Sequence, residues 1–121
     1  MDSYLRSRKE RRRKVREGLV KDSEEIIKKE LQKANESFRA FASTHEGYAV
    51  TLEELEELKE RVEQAEEYLK NLWILTKENA TKETFEAVLN DANANGVQLV
   101  AEAVQTAAMF QKFQQYNRKR V

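Results

Sequence analysis

Residues 51–76, TLEELEELKERVEQAEEYLKNLWILT, decide the fold class. Leu55, Leu58, Val62, Ala65, Leu69 and Leu72 follow one another at alternating spacings of three and four residues. A helix turns once in about 3.6 residues, so these side chains line one edge of a rod. An apolar edge of that kind needs partner helices to cover it. Thr51 and Glu54 have the spacing of a capping box, the hydroxyl taking one free N–H and the carboxylate reaching back to another. The helix is therefore expected to open at Thr51 and to run about 28 residues, roughly 40 Å.

The rest of the chain agrees with an all-α fold. Its 121 residues amount to one domain, with no Pro, three Gly and an excess of strong helix formers. Upstream, Leu19, Ile26, Ile27, Leu31, Ala34, Phe38 and Phe41 recur at helical spacing and predict a first helix ending near Thr44. Ser43–Gly47 reads as the turn. Downstream, Asn79 or Thr81 suits an N-cap, and Phe85, Val88, Leu89, Ala92, Leu99, Phe110 and Phe113 belong to a wide apolar arc. The Asn-rich run 90–96 has poor helix propensity and either bends this third helix or breaks it near Asn95-Gly96 into a fourth.

Short connections make neighbours antiparallel. The expected architecture is an up-down-up three-helix bundle, with two long helices flanking a shorter one. That topology gathers Phe38, Phe41, Tyr48, Phe110, Phe113 and Tyr116 at one pole and brings Arg118, Lys119 and Arg120 near the Glu-rich start of the second helix.

Formal charge is zero, but it is unevenly placed. Residues 1–17 carry Arg6, Arg8, Lys9, Arg11, Arg12, Arg13, Lys14 and Arg16 against three acids, a net of +5. We read them as a basic N-terminal arm or helix extension, and 18–121 as the bundle. Dense positive charge opposes the macrodipole at a helix N-terminus, so a frayed or conditional helix is expected there, with Gly18 as a point of flexibility. The second helix carries Glu53, Glu54, Glu56, Glu57, Glu60, Glu63, Glu66 and Glu67. Of these, Glu53, Glu56, Glu57, Glu60, Glu63 and Glu67 form a candidate docking face for a basic partner. The topology leaves the arm at the pole away from most of that acid.

Site chemistry is sparse. No Cys is present, so disulfides and thiolate metal sites are excluded, and the single His45 cannot build a two-His zinc site. No phosphate-cradling glycine loop or catalytic motif occurs, and no repeat period is seen. No catalytic residue, metal, cofactor or small-molecule ligand is expected. Membrane insertion is not expected either, since no apolar run approaches ~18 residues, and without a signal-peptide h-region the expected location is cytoplasmic. The sequence thus predicts a non-catalytic helical-bundle protein acting by protein–protein contact, as an adaptor, assembly or regulatory factor. Its partners are a second copy of itself and a further protein. The alternative is a nucleic-acid-binding accessory protein whose arm grips the phosphates of DNA or RNA.

Overall fold

The computed structural model describes residues 2–121, with side chains from Ser3 onward; Met1, the first residue of the arm, lies outside the described residues. Among these the chain is all helical: α1 spans Asp2–Ser37, α2 Thr44–Lys77 and α3 Lys82–Arg118. There are no strands among the described residues, and none of the helices is long and apolar enough to cross a membrane.

The helix ends follow local chemistry. α1 runs unbroken through the basic arm and through Gly18, and stops at Ser37 rather than near Thr44. The N-cap of α2 is Ser43, not Thr51. The Ser43 hydroxyl accepts the Glu46 N–H at 3.1 Å, and Glu46 supplies the acidic residue of the first turn. The capping signal at Thr51 loses because α2 is already two turns old there; Thr51 is buried and its hydroxyl has no partner. Between α2 and α3, Asn79 takes φ = 53°, the left-handed conformation that Asn tolerates better than most residues. The Asn79 and Ala80 N–H groups then close back on Thr76 and Leu75 at 3.2 and 3.0 Å. Thr81 caps α3 by accepting the Thr84 N–H.

The Asn-rich run neither breaks nor ends α3. Asn95 is turned inward and is 5 % exposed. Its amide donates to the Arg61 carbonyl at 3.0 Å, and its Oδ1 accepts a long bond from the Arg61 guanidinium at 3.5 Å. The polar residue that weakens the helix alone is spent on joining it to α2.

The helix touched by both others is α3; α1 packs on α3 and not on α2. The three helices form the expected three-helix bundle, in which α3, rather than the shorter α2, is the helix in contact with both others. Asn35 donates to Gln115, so α1 runs parallel to α3, while Gly47 against Phe113 and Arg61 against Asn95 set α2 antiparallel. The seam on α2 is also turned by one position. Leu55, Leu58, Ala65 and Leu72 are half-buried as expected, but Val62 is 40 % and Leu69 69 % exposed. Arg61 and Tyr68 take their places on the covered side. The pattern alone cannot distinguish neighbours 100° apart when Tyr68 and the Arg61 stem are themselves largely apolar.

Apolar burial is thin. Phe41 and Ala108 are the buried apolar residues among those described, and Phe41 keeps 6 % of its surface exposed. Phe41 meets Phe113 edge to face, centroids 6.2 Å apart, at the pole where α1 ends and α2 begins. Arg118, Lys119 and Arg120 make no ion pair with the acids of α2 among the described residues, so the expected charge match at that pole is not realised as contact.

Candidate interaction surfaces

Three surfaces carry what chemistry the chain has. The first is the arm. From Ser3 to Val20 every residue except Ser7 is exposed, so α1 leaves α3 before this point and stands free. Arg6, Arg8, Lys9, Arg11, Arg12, Arg13, Lys14 and Arg16 make neither an ion pair nor a side-chain hydrogen bond among the described residues.

The second surface is the acidic side of α2. Glu53, Glu56, Glu60, Glu63 and Glu67 are exposed and follow one another at spacings of three, four, three and four. They form one stripe along the rod, and among the described residues only Glu67 has an ionic partner, Lys70 at 3.2 Å. Glu57 stands with Glu54 and with Glu102 of α3, the three offering carboxylate oxygens within 4.8 Å of one another. Glu102 carries no signal in the sequence beyond standing at heptad spacing after Asn95 and Leu99. Glu54 Oε2 and Glu102 Oε2 are shut off from solvent with no donor. Three carboxylates suit a hard cation but fall short of the six to eight oxygens that Ca²⁺ gathers.

That crowding acts on Glu54. Burial raises its pKa first, and Glu57, Glu102, Glu53 and Glu30 add to the rise by repulsion. A carboxyl held above its usual range binds its proton more tightly in the folded chain. The stability this confers is present in acid and is lost as pH rises through the folded value. Glu54→Gln is therefore expected to stabilise the protein at pH 7, by at most about 0.5 kcal/mol once solvent screening is allowed for. The gain should vanish below about pH 4, where the native carboxyl is protonated in both states. Urea melts at the two pH values check this; an equal gain at both would place the effect elsewhere.

The third surface is a groove of about 480 Å³ among α1, α3 and the head of α2, lined by Ala34, Phe38, Phe41, Val50 and Met109 with charged residues at its rim. Lys112 lines it, 5 % exposed, with its ammonium 5.0 Å from the Phe41 ring centre and 5.9 Å from that of Phe38. Burial pulls the Lys112 pKa down and the Glu46 charge partly restores it. Glu46 is held by Arg39 through two bonds of 2.8 Å, which keep its carboxyl below the usual range. Sequence reading did not single out Lys112 or the Arg39–Glu46 pair. A lysine on a charge-rich helix gives no sign that its neighbours are aromatic faces from another helix.

The exposed apolar residues are the remaining feature. Leu69 and Trp73 share a side of α2 with Val62, and Val97 and Val100 are open on α3. Lys77 covers one face of Trp73, its Nζ 5.6 Å from the ring centre. Comparison with known proteins found no matching family model, no similar curated protein and no similar solved structure.

Proposed function

We propose that this chain is a non-catalytic, cytoplasmic helical-bundle protein that works through protein–protein contacts and associates with itself. The observation that carries the reading is surface. The accessible area is 9833 Å². A compact monomer of this mass exposes only about 6,800 Å². The excess lies in a free helical arm and in uncovered Leu69, Trp73, Val97 and Val100. Covering such area is the ordinary source of association free energy, and a two-fold pair is the simplest closed way to do it. Sedimentation across a hundredfold range of concentration, with a pull-down, tests the proposal. A species of twice the 14.2 kDa chain mass is expected. A strict monomer that captures no protein overturns it.

One observation favours a second reading, binding to DNA or RNA. The eight arm cations have no acidic partner among the described residues and lie within eleven residues. Phosphate contacts made by such an arm are independent of base sequence and weaken steeply with salt. A mobility-shift assay at low salt decides. Retardation that disappears on deleting residues 1–16 supports this reading, whereas no retardation, or retardation unaffected by the deletion, rejects it.

A further inference from the structure

The two charged helices carry stripes of the same period. On α1, Arg6, Lys9, Arg13 and Arg16 follow one another at spacings of three, four and three, and all four are exposed. On α2, Glu53, Glu56, Glu60 and Glu63 repeat the same spacings, also exposed. At 1.5 Å per residue each stripe is about 15 Å long. Stripes of equal pitch on two helices can face each other over their whole length, as flanking charges do along a coiled coil.

The two stripes do not meet within one chain. α1 packs on α3 alone, and Arg16 stands 21 residues, about 31 Å along the helix, before the end of α1. No arm cation pairs with an α2 acid among the described residues. The outer side of α2 is left without a helix against it. Beside the acidic stripe, Glu54, Glu57 and Glu102 crowd their carboxylates with no Lys or Arg paired to them among the described residues. Charge complementarity, shared period and equal length all name the same occupant for the acidic face.

We propose that the Arg6–Lys9–Arg13–Arg16 stripe of one copy docks along the Glu53–Glu56–Glu60–Glu63 stripe of a second copy, and that the exchange is reciprocal. This rests on the self-association proposed above and names its interface. The arm is thus a clamp on a second copy, and salt controls the assembly because the paired charges are solvent-facing.

Charge reversal tests it. One variant carries Arg6→Glu, Lys9→Glu, Arg13→Glu and Arg16→Glu; the other carries Glu53→Lys, Glu56→Lys, Glu60→Lys and Glu63→Lys. All eight sites are exposed, and far-UV circular dichroism verifies that both variants stay helical. Each variant alone is expected to weaken dimerisation at least about tenfold, a modest sum over exposed pairs. Mixing them restores both sets of opposite charges, so the mixed dimer should form with near wild-type affinity. Reversing Arg8, Arg11, Arg12 and Lys14 instead changes net charge equally and should cost less.

Wild-type dimerisation by both striped variants sinks this interface while leaving self-association standing. Loss without recovery on mixing sinks it too, as does an arm variant that dimerises normally but no longer retards nucleic acid. A wild-type chain that never dimerises removes both proposals together.

Discussion

Gly47→Leu is expected to destabilise the protein by about 3 kcal/mol or more, because it forces a side chain into space already filled. A Cβ at this position meets three carbons of the Phe113 ring at 3.0 to 3.1 Å. The ring abuts Phe41 edge-on and has little room to retreat. Even Gly47→Ala should lose stability, although the same change in an unobstructed helix gains up to about 1 kcal/mol. Gly18→Ala is the matching control: no atom lies within 4 Å of the place a Cβ would occupy there, so that variant should become more helical and slightly more stable. Thermal melts read both signs, with roughly 4 °C expected for each kcal/mol. A Gly47→Ala protein that melts at or above the wild-type temperature would mean the Phe113 ring gives way.

Phe41→Ala is expected to cost about 3–5 kcal/mol, the range for emptying a buried aromatic site. Phe41 is 6 % exposed in a fold with little other buried apolar surface, so few neighbouring contacts can compensate. Its ring also supplies the nearer aromatic face to the Lys112 ammonium, which would be left buried with less to offset its desolvation. Phe38→Ala removes a ring of the same size that is 70 % exposed and should stay within about 1 kcal/mol. Urea denaturation of the two variants separates them, and equal costs would contradict the burial difference. The consequence reaches the arm. The Phe41–Phe113 contact lies where α1 hands over to α2, so loosening it frees the direction in which the basic half of α1 points.

Elements were legible where one residue type has one local meaning. Absence of Pro, abundance of helix formers and the three-four spacing on α2 each lead to helices whatever the tertiary context. Thr81 was readable as one of two candidate caps beside Asn79, and the charge division between arm and α2 was readable too. Boundaries failed where two local signals competed. Ser43 with Glu46 and Thr51 with Glu54 have the same capping spacing, and in the folded chain Ser43 is the cap, with Gly47 fitted closely on Phe113 in the first turn. Asn90–Gly96 reads as a weak point because an isolated helix gains nothing from Asn95. In the folded chain that amide holds the Arg61 carbonyl.

Composition and periodicity alone therefore determined that this is an all-α chain with a basic start and an acidic middle, because helix propensity and charge are properties of residues near one another in sequence. Tertiary structure alone decided that α3 is the central helix, that Val62 and Leu69 face outward, that Lys112 is buried over aromatic rings, and that Glu102 joins the acids of α2. Each of those depends on which faces meet across distances in sequence of tens of residues, and rods that can rotate about their own axes by one position do not reveal that meeting until they are packed.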